Sequence, residues 1–410
     1  MAELCLMSHG QPSANPRLVR DAGVLAAAGH SVRVVTAQYV NGLDVHDARL
    51  VSNAKWVFEP VDLIRGGAAK SWNYIRARRR LASTLSRWFL FESLVARAYA
   101  YATPELTQTA RAKPAQLFIA YQHNSLPAAA RAAKTQGALF ALDAQDLLAD
   151  CAEEPPRLAV TIERKYLNEC SYVSTMSQPA AERLSVTNGL KRQPLVLHNT
   201  PSIREREGVE RPERRVGRAN PSLYWFGQTI GFHSCALLVV RALPLLATKV
   251  RLVLRGTPDP NFLSALNELT TQLGVTDQIE IVPRGEPMEM VKLAAEHDIL
   301  LGTQPGTQLF NQMAIGNKVF TGMMAGLALA LTDTIAHRQL MARAKACGFL
   351  FPDGDHERLA ERLNELLCDP TRLAAAKKAS WELAENEFNW ELESKSLIDT
   401  VNRLFEFRHA

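Results

Sequence analysis

The sequence predicts an α/β protein built from two parallel-sheet domains in series, and three observations carry the prediction. Apolar runs of strand length alternate with helical periodicity from residue 3 to residue 199. A second alternation of the same kind begins at residue 222. Between them, residues 203–221 (IREREGVERPERRVGRANP) are charged, Pro-bearing and poor in large apolar side chains. That composition cannot bury a core and reads as an interdomain linker. A chain of 410 residues is also too long for one compact core.

Residues 3–8 (ELCLMS) are a short apolar strand, followed by the loop HGQPSAN. Residues 16–28 form a helix with Pro16 in its first turn and Gly29 beyond its end. Residues 31–36 complete a βαβ unit. It lacks G-x-G-x-x-G, so the dinucleotide fingerprint is absent. Residues 72–101 read as a basic helix in which Arg76, Arg78, Arg79, Arg80 and Arg87 interleave with Trp72, Tyr74, Trp88, Phe89 and Phe91. Such a helix can lie on an anionic membrane surface. The rival reading is a solvated arginine face with its aromatic residues turned into the core. Strands at 116–121, 138–143, 172–176 and 194–199 then alternate with helices at 126–136 and 179–186.

In the second series, strands at 222–227, 250–255, 278–282, 298–301 and 327–332 alternate with helices at 234–246, 261–273 and 288–296. Beyond residue 332 the periodicity is helical, over 335–346, 356–367, 370–386 and 390–405. No solenoid repeat is present. The expected division is 1–202 for the first domain, 203–221 for the linker, 222–387 for the second domain and 388–410 for a last amphipathic helix.

Composition narrows the function classes. A net charge of +5 suits an anionic ligand or a membrane surface and is no nucleic-acid signature. Six scattered cysteines without C-x-x-C spacing read as mostly buried free thiols in a reducing cytosol. The chain starts directly with a strand, without a basic n-region, and no apolar run is long enough to span a bilayer. The expected location is cytoplasmic, with a peripheral membrane contact through 76–87 as one reading.

The stretch 302–333 holds the central candidate site. It follows a strand, carries turns at Gly302 and Gly306, and enters a helix near Asn317, which can cap it. Doubly wound folds place ligands at such a loop, where backbone N–H groups and a positive helix end face the opening. Lys318 adds the only full charge before Asp333. The loop is expected to face the anionic part of a ligand.

Five segments resemble retaining glycosyltransferases with the GT-B fold (glycosyl transferases group 1, family 4-like). They are SHGQPSANPRLVRDAGVLAAAGHSVRVVT, NSLPAAARAAKTQGALFALDAQDL, LYWFGQTIG, NKVFTGMMAGLALALTDT and GFLFPDGDHERLAERLNELLCDP. The resemblance implies two facing Rossmann-like domains with an interdomain cleft. It implies a nucleotide-sugar substrate held mostly by the second domain and an acceptor held mostly by the first, which is a surface glycan, a lipid-linked glycan or a small metabolite. It implies no metal, no other cofactor, and a C-terminal helix around Trp390 that crosses back to the first domain. Several positions depart from the family's pattern. His233 and Ser234 stand where a basic residue is common, Gln304 and Thr321 where carboxylates are common, and Gln145 where the first domain usually offers His. These neutral residues motivate an alternative, a glycosyltransferase-like binding or scaffold subunit with weakened catalysis.

Each candidate residue has a rival reading. Among donor-binding candidates, Lys318 reaches a diphosphate or is a surface lysine. Gly10 admits close backbone approach at the first βα turn, or serves a tight turn alone, and Gly227 is a further donor-side candidate. His233 supplies charge to phosphate or is a loop histidine. Arg255 meets a phosphate or base, or pairs with Asp259. Gln304 binds a sugar hydroxyl and Thr321 a ribose hydroxyl, or both are satisfied by backbone, and Asn317 is a further donor-side candidate that can cap its helix. Asn15 and Arg17 are the acceptor-side candidates, a solvated arginine being the rival for Arg17. His123 in YQHNS is the catalytic candidate for base work or acceptor bonding, with a hydrogen-bonded loop histidine as its rival. Asp143 and Asp146 are a carboxylate pair for acceptor hydroxyls, unless Asp146 caps a helix.

Overall fold

The computed structural model describes residues 1–40, 43–63, 69–150, 156–215 and 220–406. Cys151, linker residues 216–219 and the last four residues of the expected C-terminal helix segment lie outside them. The chain divides into two compact units, one of residues 1–197 with 394–410, the other of 198–393.

The first unit is a seven-stranded sheet made of β1 (Glu3–Ser8), β2 (Ser31–Gln38), β3 (Val57–Asp62), β4 (Leu117–Tyr121), β5 (Leu139–Ala144), β6 (Val173–Thr175) and β7 (Leu195–Val196). Their order is β3-β2-β1-β4-β5-β6-β7, all parallel. The second unit holds β8 (Ser222–Ile230), β9 (Arg251–Pro258), β10 (Ile279–Val282), β11 (Ile299–Gly302), β12 (Ala328–Thr332) and β13 (Gly348–Phe351). They run β10-β9-β8-β11-β12-β13, again all parallel. Helices link the strands, as parallel pairing requires. Each sheet reverses its strand order once, between β1 and β4 and between β8 and β11. Those reversals fix where a ligand crevice opens at the carboxyl ends of the strands.

Both faces of the second sheet are buried, and successive residues supply them in turn. Leu223, Trp225, Leu252, Leu254, Leu301 and Ala330 enter one core. Tyr224, Phe226, Val253, Leu300, Leu329 and Leu331 enter the other. The strands therefore read as unbroken apolar runs. One core of the first unit includes Leu4, Leu6, Val34, Leu117 and Ile119, closed by Leu397 and Val401 of the helix Trp390–Glu406.

The expected elements need several amendments. The helix read at 234–246 is interrupted, because Pro244 turns its end into a 3-10 segment, Leu243–Leu245. The basic helix read over 72–101 is two helices, Ala69–Leu85 and Glu92–Tyr99. A short helix, Leu309–Met313, lies inside the central loop. Gly316, not Asn317, is the N-cap of the helix that follows. The linker stretch up to residue 215 is packed onto the second unit. There Arg206 lies 4.0 Å from the Trp381 ring and pairs with Glu385, and Arg215 donates to Ala325 O at 2.7 Å. Of the described thiols, Cys5, Cys170 and Cys347 are buried, as expected for most of them, Cys235 is half-buried, and Cys368 is exposed. Among the described residues no helix is long and apolar enough to cross a membrane.

Candidate functional site

In the second unit the site is built on the carboxyl ends of β8 and β11, beside the strand-order reversal. β8 carries an irregularity between Phe226 and Thr229. Gly227 and Gly256 meet there. A Cβ on Gly227 would lie 2.5 Å from the Trp225 indole, and one on Gly256, at φ +154°, would lie 2.7 Å from Gly227 O. Packing alone therefore accounts for Gly227. The close strand approach fixes Trp225, whose indole becomes a platform for two basic groups. Lys318 Nζ sits 4.1 Å from its ring and the exposed His233 ring 6.1 Å away.

Lys318 is the second residue of the helix Asn317–Met324, and its stem folds back over Gly316. The side chain is half-buried, and among the described residues no carboxylate lies within ion-pair distance of it. Burial pushes its ammonium down from the ordinary 10.5 to about 8, with the nearby Cys235 opposing. His337, also enclosed, is pushed down to about 4 by burial and is neutral, its Nδ1 2.7 Å from Thr332 O. The positive charge in this corner is thus centred on Lys318.

The loop between β11 and this helix is held by its own polar groups. Gln304 donates its amide to Asn311 O at 2.7 Å and Ala314 O at 3.2 Å, and its N–H bonds Thr332 Oγ1. Gln312 donates to Gly306 O, while Asp353 accepts from Gly306 N at 2.7 Å. Gln304 therefore shapes the loop, and its amide donors are occupied. Thr321 is buried and its hydroxyl donates to Asn317 O within the helix. Asn317 itself is exposed. Ser234 donates to Gly231 O, and Thr303 donates to Ser234 O, tying the β8 turn to β11. Arg255 does not pair with Asp259, which instead caps the helix Pro260–Leu273. Arg255 donates to Tyr224 Oη at 2.9 Å and Pro283 O at 2.8 Å, at the edge of a cavity of about 330 Å³.

In the first unit the carboxyl ends of β1, β4 and β5 bring Asn15, Gln122, Gln145 and Asp146 together. Asn15 Oδ1 caps the first helix through Leu18 N and also accepts from Gln145 Nε2 at 3.0 Å. Gln122 donates to Asp146 Oδ2 at 2.6 Å. Burial raises the Asp146 carboxyl, and the Gln122 bond opposes that rise. Gly10 has no conformational need to be glycine, since an added Cβ would meet nothing nearer than Ser8 Oγ at 3.8 Å.

Three sequence-predicted residues of this unit are enclosed instead of presented. His123 is fully buried, its Nε2 2.9 Å from Glu163 Oε1, so it cannot reach an acceptor hydroxyl from there. Asp143 pairs with Arg17 at 2.9 Å and accepts from Ser174 at 2.7 Å, both members of the pair being buried. Arg17 also donates to Leu197 O. The carboxylate pair of the sequence is therefore split, with Asp143 inside and Asp146 at the edge. Behind Arg17, burial raises the Asp21 carboxyl to about 7, while it accepts from Tyr121 Oη at 2.6 Å.

Sequence reasoning missed two backbone features. Among the described residues, Gln122 (φ 71°) and Cys235 (φ 53°) are the non-glycine residues with left-handed backbone. One follows β4 and one follows the β8 turn, each at the margin of a candidate site. Strain of this kind persists where the surrounding structure over-determines it.

Residues 221–369 match a family described as Glycosyl transferases group 1. Among solved structures, HepE of Anabaena in complex with UDP is similar at a TM-score of 0.72 and 17% identity, covering 98% of this chain and 100% of that one. Sucrose-phosphate synthase of Thermosynechococcus elongatus gives 0.71 and 13%, covering 98% and 99%. The lipopolysaccharide outer core galactosyltransferase WaaB, in its apo form, gives 0.66 and 13%, with the same coverage. No curated protein matches by sequence. Two Rossmann-like parallel-sheet units in series are the GT-B fold, and these likenesses extend over nearly the whole chain.

Proposed function

We propose that this chain, whose fold is GT-B and whose residues 221–369 belong with glycosyl transferases group 1, moves a hexosyl group from a nucleotide-sugar to a hydroxyl acceptor with retention. The observation that carries the reading is Lys318, a half-buried ammonium with no carboxylate partner among the described residues, beside the loop that follows β11. A diphosphate there would restore the counter-charge that burial withholds. The bond from the anomeric carbon to the diphosphate oxygen breaks, and the bond to the acceptor oxygen forms on the same face. The acceptor proton passes to the departing phosphate oxygen. Charge grows on the diphosphate as the bond breaks, and Lys318 with fixed N–H dipoles stabilises it. One solved protein of similar fold, HepE, holds UDP, UDP with glucose, and UDP-glucose in three structures, which supports a nucleotide-sugar donor. Asn15, Gln145 and Asp146 are the acceptor-side groups of this reading, with a glycan or a small metabolite as acceptor. Five described cysteines without a disulfide support a cytoplasmic location.

A second reading, a binding subunit with weakened catalysis, has its own support. The hydroxyls of Ser234 and Thr321 and the amide of Gln304 are all spent on local structure. Nucleotide release from a panel of nucleotide-sugars, measured beside thermal shift with the matching diphosphates, separates the two. Saturating ligand at about one hundred times its Kd stabilises a formed site by about 2.7 kcal/mol. A shift with turnover supports the transferase, and a shift without turnover supports the binding subunit. No shift with any nucleotide refutes both.

A further inference from the structure

The helix Ala69–Leu85 and the turn after it carry a surface that nucleotide-sugar chemistry does not use. Leu81, Leu85, Trp88, Phe89, Leu90 and Phe91 are all exposed, Trp88 to 78% and Phe91 to 69%. Phe89 and Phe91 stack with centroids 6.0 Å apart. The turn is built to hold these side chains outward. Trp88 and Phe89 donate their N–H groups to Leu85 O, buried Ser86 bonds Ser83 O, and Arg157 donates to Arg87 O. A contiguous apolar patch of this size on a fixed scaffold marks an interaction surface.

The charge beside the patch identifies the partner. Arg76, Arg79, Arg80, Ser83, Thr84 and Tyr101 line an open cavity of about 430 Å³, with no carboxylate among the described residues of its wall. Arg78 is committed to Glu105, and Arg79 to Ala98 O and the Tyr101 ring. Arg76 and Arg80 are exposed, and among the described residues no carboxylate lies within ion-pair distance of either. Leu81 and Leu85 follow Arg80 and Thr84 by one residue, about 100° round the helix, so cations and apolar side chains form adjoining stripes. Glu92, the acid next to the turn, is neutralised by Arg131.

We propose that the 81–91 turn and the arginine-lined cavity form a docking site for an anionic phospholipid surface. Trp88, Phe89 and Phe91 enter the interfacial layer, where amphipathic aromatic residues sit at headgroup level, and Arg76 and Arg80 meet lipid phosphates. The test is co-sedimentation of the full chain with vesicles of phosphatidylcholine alone or with phosphatidylglycerol. Binding is expected only with the anionic lipid and should weaken with salt. Arg76→Ala/Arg80→Ala should lower it about 30-fold. Trp88→Ser/Phe91→Ser should abolish it, with melting temperature and nucleotide-induced shift unchanged because these side chains are exposed. Equal binding to both vesicle types, or none to either, overturns the proposal. So does sedimentation velocity showing a dimer that Trp88→Ser/Phe91→Ser dissociates, which would make a second copy the occupant.

Discussion

Replacing Lys318 by methionine keeps the stem over the Trp225 indole and removes the charge. In the empty protein that charge is unfavourable. Burial lowers the ammonium from 10.5 to about 8, a difference of about 3 kcal/mol between the charged and neutral forms. The unfolded chain binds this proton more tightly than the native one. Stability therefore carries the full penalty below about pH 8 and rises as pH climbs from there toward 10.5. The contact with Trp225 offsets part of it, by about 0.5–2 kcal/mol. Lys318→Met should thus stabilise the empty protein at pH 7 by about 1–2 kcal/mol and remove this rise with pH. The same substitution should erase the thermal shift produced by nucleoside diphosphate. In the parent protein the shift should shrink as pH passes through 8 and the ammonium is lost. Urea denaturation from pH 6.5 to 10, with and without UDP, measures both effects. A variant that is less stable than the parent and still responds fully to UDP would refute the reasoning.

Other perturbations test the surrounding structure. Gly256→Ala forces a Cβ to within 2.7 Å of Gly227 O at a φ that side chains rarely adopt, and should cost about 2–4 kcal/mol in denaturant unfolding. Asp21→Asn removes a carboxyl held near 7 by burial, whose contribution to stability is greatest below about pH 4 and is lost as pH rises through 7. The variant should be the more stable protein at pH 8, with a flatter profile between those limits by calorimetry. His123→Ala removes the imidazole from Oε1 of buried Glu163, leaving the carboxylate only its bond from Asn188, and should cost about 3 kcal/mol while leaving UDP binding intact. Lost turnover at an unchanged melting temperature would return His123 to the chemistry.

The sequence makes the fold legible because both faces of the sheets are buried. Runs such as Leu117–Tyr121 and 328–331 are apolar or aromatic throughout and can hardly be anything but central strands. The edge strand Val57–Asp62 escapes notice because only Val61 is buried and Pro60 interrupts it. Gly348–Phe351 is short and opens on a glycine, so no strand is read there. The helix Pro156–Tyr166 carries its apolar residues between charged ones and is passed over in the same way. In the site, the position of Lys318 follows from its place after β11, because loop order is encoded locally. The fates of Arg17 and His123 do not, since each is set by a carboxylate far along the chain, Asp143 and Glu163. Nor does periodicity reveal that the Gln304 amide closes its own loop, because that bond depends on a short helix, Leu309–Met313, with no strong pattern of its own.

The terminal helix gives the polypeptide an assembly order. The unit that leaves the ribosome first is sealed by Leu397 and Val401, about 200 residues after its last strand has been synthesised. At ordinary elongation rates that gap lasts roughly 10–40 s. During it the early apolar surface has to be sheltered by a chaperone or by the nascent chain itself, so shortening this helix would harm yield before it harmed any purified activity.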